Sequence, residues 1–534
     1  MKNVKLVYIP LLLSIACVLG VYIGSYFDIA SPFNETANFK HKQKLNTLLQ
    51  LIDKKYVDDV NTDSIVDVAI GNIISDLDPH TVYLPKAELD EENQSMNGSF
   101  VGIGISFNKY NDTLTVIRTL ANGPSERAGI RSGDKILFAD GIALTGSQIT
   151  SDSVVKLIKG QSNTKVKLKI KRQGEKDILD YNVSREEVTL KSVDAGFMLN
   201  DSVAYFKINR FSKTTYDEFM SYAKSIRLEN PREVIIDLRN NGGGYLKQAV
   251  DIVDQFLDED TPILYTKDRS NNRTATLATS SSMFKYVKVT ILINEKSASA
   301  SEIIAGAIQD NDRGLILGRR SFGKGLVQRT MPLGDGSAVR MTIARYYTPT
   351  GRSIQRAYDD GREDYYEDYL DRYNNGELES ADNIEVIDSL AFKTPKGKTV
   401  YGGGGIIPDL FIPKSDNSVH VDMADMFEAG ILDRFIFSEL EKDRTFYNDI
   451  EKEDFIKYFM VSNNTLVAFN DYLRSFNINI NQFRISKPVI RTFLKATIAQ
   501  QLYGTDEAYR VIVQEDEMIR VLLDRDKQSP AIKN

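Results

Sequence analysis

The chain has 534 residues, 42% of them hydrophobic and 26% charged, the balance of a globular protein long enough for several domains. Its net charge of -7 comes with no basic run, which argues against nucleic acid as a partner. A single cysteine, Cys17, excludes an intrachain disulfide.

Cys17 lies in an apolar run, residues 6–27 (LVYIPLLLSIACVLGVYIGSYF), long enough to span a bilayer. Lys2 and Lys5 precede the run, which predicts a cytoplasmic N-terminus and an extracytoplasmic remainder. A cleaved signal has a shorter apolar core and a small-x-small site, and neither is evident. Ser14 stands where a lipobox before Cys17 has leucine. The expectation is an uncleaved, single-pass anchor in the inner (cytoplasmic) membrane, with residues 1–35 as anchor and linker. The folded domains then lie on the periplasmic side. Gly20 and Gly24 form a weak G-x-x-x-G helix-packing motif.

Residues 36–92 read as helical. Leu45, Leu48, Leu49, Ile52 and Val57 make one apolar stripe, and Ile65, Val68, Ala69, Ile73 and Ile74 another. The second helix ends at Leu77-Asp78-Pro79-His80-Thr81, where His80 reads as a turn histidine with a structural hydrogen bond.

Residues 93–185 are strand-rich, with turn signals at Asn111-Asp112, Gly133-Asp134 and Asp140-Gly141. Phe100-Val101-Gly102-Ile103-Gly104-Ile105, Pro124 to Ile130 and Gly133 to Leu137 resemble a PDZ domain. That resemblance implies a loop, Val101, Gly102, Ile103 and Gly104, presenting N–H groups to a terminal carboxylate beside an edge strand. The groove helix is expected over Ser153–Lys159, with Val154, Leu157 and Ile158 apolar. A spacer with a closed groove is the competing reading.

Residues 186–412 read as an α/β segment. A strand over Val203–Ile208 and a helix over Tyr216–Arg227 precede a strand, Glu233–Leu238, that runs into Arg239-Asn240-Asn241-Gly242-Gly243-Gly244. Glycines at a strand end allow close backbone approach to a ligand. The apolar strand Val289–Ile293 enters a serine-rich turn, and a helix follows with Ile303, Ile304, Ala307 and Ile308 on one face. Strand, tight turn and helix expose a nucleophilic serine beside free backbone N–H groups. Ser299-Ala300-Ser301-Glu302 also fits a capping box.

After a strand at Leu315–Leu317, Gly318 to Lys324 fits G-x-x-x-x-G-K. Gly325 stands where a Walker A loop has the Ser or Thr that holds Mg²⁺, which counts against a nucleotide site. The histidines are His41, His80 and His420, none in the strand-rich middle, so a Ser-His-Asp triad would have to import one. Lys324 replaces histidine as a base if its pKa falls from about 10.4 to about 7–8. That is ~4 kcal/mol of bias against the ammonium, within what burial supplies. Gln328 can hold the amine without adding charge.

S-A-S-A-S-E at residues 297–302, followed by F-G-K-G-x-V-Q at 322–328, resembles the carboxy-terminal processing (tail-specific) proteases, the S41 serine peptidases. The resemblance covers roughly residues 40 to 412. It implies Ser299 as nucleophile, Lys324 as base and Gln328 as its orienting partner. D-L-R-N-N-G-G-G at 237–244 resembles the oxyanion segment, which implies an N–H from one of Gly243 and Gly244, with Ala300 the second donor. Asp237 and Arg239 read as structural. L-D-P-H-T resembles the segment before the family's PDZ domain, Met341 to Arg352 its strand and turn after the lysine, and Gly405 to Asp409 its closing G-x-x-P-D.

The implied protein is a multidomain α/β serine endopeptidase that needs no cofactor and no metal. Its parts are an anchor, a helical segment (36–92), a PDZ domain (93–185), an S41 core (186–412) and a C-terminal helical domain (413–534). Its partners are envelope proteins with apolar C-terminal tails, with a homodimer or an adaptor protein left open. The alternative is a non-catalytic PDZ scaffold or chaperone of the envelope. Other Ser/Lys hydrolases place the pair in S-x-x-K, whereas here it is 25 positions apart. Residues 357–385, dense in Asp, Glu, Tyr and Asn, are expected to be a solvated insertion with partial helix. The C-terminal region, helical over Phe493–Tyr503 and Glu507–Leu523, is either a dimerisation or gating domain or a cap packed on the core.

Overall fold

The computed structural model describes Ser14 and residues 36–528, except 111–112, 121, 147–149, 173, 360, 415–422, 429–430 and 476–486. Apart from Ser14, the expected anchor over 6–27 lies outside the described residues, as does His420. No helix among the described residues is long and apolar enough to cross a membrane.

Residues 1–72 and 73–534 form separate compact units. The first holds α1 (Thr36–Lys55) and most of α2 (Thr62–Ser75). Lys54 and Lys55 sit in the last turn of α1, where cations favour the helix dipole. Both expected helices form, but Leu45, Leu48, Val57 and Val68 of the stripes are exposed. The rest of the stretch to residue 92 is not all helical. Val82–Leu84 is a strand, β1, followed by α3 (Lys86–Asn97). α3 overruns the expected boundary and stops at Gly98, whose φ of +71° favours glycine.

In the PDZ region, β2 (Ser99–Gly102) leads to β3 (Ile105–Tyr110), β4 (Thr113–Thr119) and β5 (Lys135–Ala139). Helix α4 (Ser151–Ile158) begins where the Thr150 hydroxyl accepts from the Ser153 N–H at 3.2 Å. Then come β6 (Lys165–Lys171), β7 (Leu179–Ser184) and β8 (Glu186–Thr189). The sheet order is β3-β4-β5-β6-β7, which leaves β3 at an edge, and β2 pairs with β8 instead. The alternation Lys-Val-Lys-Leu-Lys-Ile in β6 buries Val166, Leu168 and Ile170 completely and keeps the lysines outward.

The core sheet starts with β9 (Val193–Met198) and β10 (Val203–Ile208), then α5 (Thr215–Leu228), β11 (Glu233–Asp237) and α6 (Leu246–Asp254). A hairpin, β12 (Pro262–Asp268) and β13 (Arg273–Leu277), intervenes before β14 (Lys288–Ile293), α7 (Ala300–Asp310) and β15 (Leu315–Gly318). Next are β16 (Leu326–Pro332), β17 (Ala338–Tyr347), α8 (Arg362–Asn374) and β18 (Leu410–Phe411). The core order is β9-β10-β11-β14-β15-β18, antiparallel only at the first pair. Every residue of β10 and β11 is buried, as a sheet covered on both faces requires. A second sheet, β1-β17-β12-β13 with β16 beside β17, carries the segment after Lys324.

The acidic insertion is mostly exposed and partly helical, as expected, with two buried side chains that the composition did not indicate. α8 is exposed along most of its length, Tyr366, Leu370 and Tyr373 included, and anchors itself to the core through buried Tyr365 and Arg372.

The C-terminal region holds α9 (Ile431–Leu440), α10 (Asn463–Arg474), α11 (Lys487–Leu502), α12 (Thr505–Ile512) and α13 (Glu517–Gln528). The earlier helices share a core of their own. α12 and α13 lay Tyr509, Val513, Met518, Ile519 and Leu522 against Tyr205, Ile235, Leu292 and Leu317 of the core sheet. Of the two readings left open by the sequence, these last two helices form a cap on the core. The expected single helix over 507–523 is broken, because the Asp516 carboxylate accepts from the Ile519 N–H at 3.1 Å and starts a new helix.

Candidate active site

The turn between β14 and α7 and the first turn of α7 hold three serines, Ser297, Ser299 and Ser301, and their surroundings separate them. Ser297 is fully buried and donates its hydroxyl to Leu238 O at 2.8 Å, and Ser301 is fully buried and donates to Asn241 O at 2.9 Å. Ser299 is only half-buried. Its backbone is held at φ 54°, a left-handed conformation that non-glycine residues rarely adopt. The two flanking serines thus tie the turn to the loop after β11 and leave Ser299 at its apex.

That loop approaches very closely. A Cβ placed on Gly243 would lie 2.8 Å from Ser299 Cβ, and φ at Gly243 is +101°, so only glycine fits. The Gly243 N–H is already given to Asn241 Oδ1 at 2.8 Å, while Asn241 Nδ2 holds Ile208 O at 2.9 Å. Among the described residues no protein acceptor meets the N–H of Gly244 or of Ala300. Of the two glycines between which the sequence left the donor open, Gly244 has the N–H without a protein acceptor among the described residues, and Gly243 provides the close approach.

Lys324 lies in the turn between β15 and β16. Its Nζ donates to Gln328 Oε1 at 2.8 Å, and Gln328 Nε2 donates to His80 O at 2.7 Å. The His80 carbonyl therefore fixes which end of the amide faces the lysine. Burial, with the Arg340 charge, pushes the Lys324 amine down to about 8 against the opposing influence of Asp78, Glu302 and Glu92. The His80 carbonyl is itself held by an Asp78-centred turn. Asp78 Oδ1 accepts from the N–H of His80 and of Thr81, both at 2.8 Å. The His80 ring is pushed down to about 3 by burial and by the Lys324 charge, so it is neutral at physiological pH. Its Nε2 lies 3.0 Å from the Tyr365 hydroxyl on α8.

Two further residues join the serine and lysine segments, and the sequence reading missed both roles. Glu302, fully buried, accepts from the N–H of Ser299 at 2.8 Å and of Lys324 at 2.9 Å through Oε2. Its Oε1 accepts from the Ser321 hydroxyl at 2.6 Å and the Gly323 N–H at 2.7 Å. Burial pushes this carboxyl up, and these hydrogen bonds oppose the rise. All four partners are donors, so the ionised carboxylate is the species that satisfies them. The Tyr346 hydroxyl lies 3.1 Å from Ser299 O and 2.8 Å from Lys324 O. The S-x-x-E spacing signalled a cap at Glu302, and nothing local in the sequence pointed to Tyr346.

The PDZ groove runs between β3 and α4. Gly102, Ile103 and Gly104 line it as expected, with Phe100, Ile105 and Phe107 on the strand side and Val155, Ile158 and Lys159 on the helix side. Val101 does not line it. Side chains alternate along β2, so Phe100 rather than Val101 faces the groove. Lys159 Nζ donates to Gln94 Oε1 on α3 at 3.0 Å.

Comparison with known proteins gives three family matches: peptidase family S41 over residues 202–360, a PDZ domain over 101–183, and a family of unknown function (DUF8443) over 423–504. The chain is 32% identical over 354 residues to a probable CtpA-like serine protease of Staphylococcus haemolyticus, spanning 65% of this chain and 70% of that one. It is 32% identical over 347 residues to the carboxy-terminal-processing protease of Bartonella bacilliformis, spanning 63% and 79%. To the carboxy-terminal processing protease CtpB of Bacillus subtilis it is 31% identical over 320 residues, spanning 59% and 66%. The chain belongs to the carboxy-terminal-processing proteases of peptidase family S41, serine peptidases that carry a PDZ domain.

Proposed function

We propose that this protease is a Ser/Lys endopeptidase acting on envelope proteins captured by their apolar C-terminal tails. Ser299 Oγ attacks the scissile carbonyl and gives its proton to neutral Lys324 Nζ. The oxyanion receives the N–H groups of Gly244 and Ala300. The ammonium of Lys324 then protonates the leaving amine as the C–N bond breaks, leaving an acyl-enzyme. Lys324 next takes a proton from water, whose oxygen attacks the ester, and returns it to Ser299 as the product acid leaves. Gln328 orients the amine throughout.

The observation that carries this reading is the Lys324 amine, lowered to about 8 and hydrogen-bonded to the uncharged amide of Gln328. A base of that pKa is part-neutral at working pH, and among the described residues no carboxylate forms a direct ion pair with it, although Asp78, Glu302 and Glu92 favour the charged form from a distance. The groove floor at Gly102 to Gly104 and its apolar walls support capture of an apolar tail, which would add to edge strand β3. The apolar run at 6–27 supports a membrane-anchored enzyme facing the periplasm.

The test is hydrolysis of an unstructured protein with an apolar C-terminal tail by the full chain, by Ser299→Ala and by Lys324→Ala. The proposal expects cleavage by the parent and silence from both folded variants. Equal cleavage by all three removes the site assignment. Tail binding without cleavage by the parent removes the proposed mechanism.

A further inference from the structure

Beneath the Gly243–Gly244 loop lies a buried group of charges that reaches into the C-terminal cap. Arg239 lies in the turn just after β11 and directly precedes Asn240. Its N–H and Nε each donate to Asp237 Oδ1 at 3.0 Å, and its Nη2 lies 2.6 Å from Asp237 Oδ2. Lys207 on β10 donates to Arg239 O at 2.6 Å and lies 3.6 Å from Asp237. Tyr205 donates its hydroxyl to Asp237 Oδ2 at 2.8 Å. Burial alone would raise the Asp237 carboxyl, yet Arg239 and Lys207 hold it well below the carboxylate range.

Three of these charges would leave one positive charge in excess. The fourth comes from the cap: Asp516 Oδ2 lies 2.8 Å from Arg239 Nη2, with both side chains largely buried. Asp516 also starts α13 by accepting from the Ile519 N–H. The matched S41 region ends at residue 360 and the C-terminal family match at 504, so neither includes Asp516.

Arg239 is followed by Asn240, whose N–H goes to Asn294 Oδ1 at 2.9 Å, at the root of the serine turn. Arg239 thus adjoins the residue through which the glycine loop is tied to the start of the serine turn. We propose that Asp516 is a positioning residue for the peptidase site, neutralising and orienting Arg239 so that the loop through Gly244 holds its N–H toward the oxyanion. The inference rests on the proposed oxyanion role of Gly244. It makes the C-terminal cap part of the catalytic apparatus.

Asp516→Asn separates this role from simple folding, because asparagine caps a helix as well as aspartate while removing the charge. Asp516→Ser, which also keeps a capping oxygen, is the second variant. Kinetics on a peptide with an apolar tail are read beside inhibition by a peptide aldehyde of the same sequence. The aldehyde reports oxyanion binding, since Ser299 Oγ adds to its carbonyl carbon and the proton passes to the new hemiacetal oxygen.

The expected result is a roughly ten- to hundredfold fall in kcat, KM within about twofold, and aldehyde affinity lost by a similar factor, the size of a small misplacement in a catalytic loop. Near-UV circular dichroism should show both variants folded. If folded variants keep kcat within about twofold of wild type, or lose kcat while keeping aldehyde affinity, the role of Asp516 is overturned. If Ser299→Ala cleaves as well as the wild type, the underlying site reading fails instead.

Discussion

The buried carboxylate of Glu302 joins Ser299 to Lys324 through their N–H groups, and its charge also acts on the lysine. The charged groups around Lys324 are Arg340, Asp78, Glu302 and Glu92, with the His80 ring neutral. Arg340 lowers the amine and the three carboxylates raise it. In the proposed mechanism Lys324 serves as the base only when neutral, so kcat/KM should rise with pH through about 8. Glu302→Gln removes one raising influence, so the acidic limb should move below the wild-type position while kcat falls roughly tenfold or more. Damage that merely opened the site to water would move the limb upward, toward the ordinary lysine value, so a pH–rate profile separates the two. At the neighbouring loop, Gly243→Ala would put a methyl 2.8 Å from Ser299 Cβ at φ +101°. Its kcat should fall about a hundredfold with tail binding unchanged, as steady-state kinetics and a tail-peptide titration would show.

At the scale of elements, the PDZ groove makes a separable prediction. Val155 faces the groove from α4, so Val155→Asp should raise KM for a tailed substrate by about tenfold, ~1.4 kcal/mol, and leave kcat on a short untailed peptide unchanged. An equal effect on both substrates would place the groove outside the binding path. α8 makes another. Arg372 bridges Glu377, Ser321 O and Arg320 O, and so holds the lysine turn from behind. Arg372→Met leaves buried Glu377 paired with Arg320 alone and takes the donor from two carbonyls, and should cost about 1–3 kcal/mol in denaturant unfolding. These elements also mark where the sequence was readable. Ser299, Lys324 and Gln328 fall within 30 residues, on one strand–turn–helix–strand pattern that local spacing reveals. The His80 carbonyl, Tyr346 and Asp516 reach their partners only after distant segments pack together, and no period or spacing encodes that. The break before α13 was missed because it carries neither Gly nor Pro; an aspartate cap makes it. The solvated, partly helical character of 357–385 was legible in its composition, but the buried anchors Tyr365 and Arg372 were not, because acidic residues dominate that composition.

For the whole molecule, the core sheet needs cover on both faces. Helices α5, α6 and α7 supply one layer, and α12 and α13 the other. Burying side chains the size of Leu292, Leu317 and Ile235 stabilises by about 1.5–3 kcal/mol each. Deleting residues 505–534 would uncover them with Tyr205, and the truncated chain should aggregate in size-exclusion chromatography. A monodisperse, active truncation would contradict the assigned cap. The same cap delivers Asp516 to Arg239, so one C-terminal element serves both stability and the site.

The Ser/Lys assignment is tested most directly by labelling the full chain with a fluorophosphonate across pH and mapping the modified peptide by mass spectrometry. The account predicts modification at Ser299, a rate that climbs with pH through about 8, and loss of labelling in folded Lys324→Met. Modification of a different serine, or a pH-independent rate that survives Lys324→Met, would contradict it.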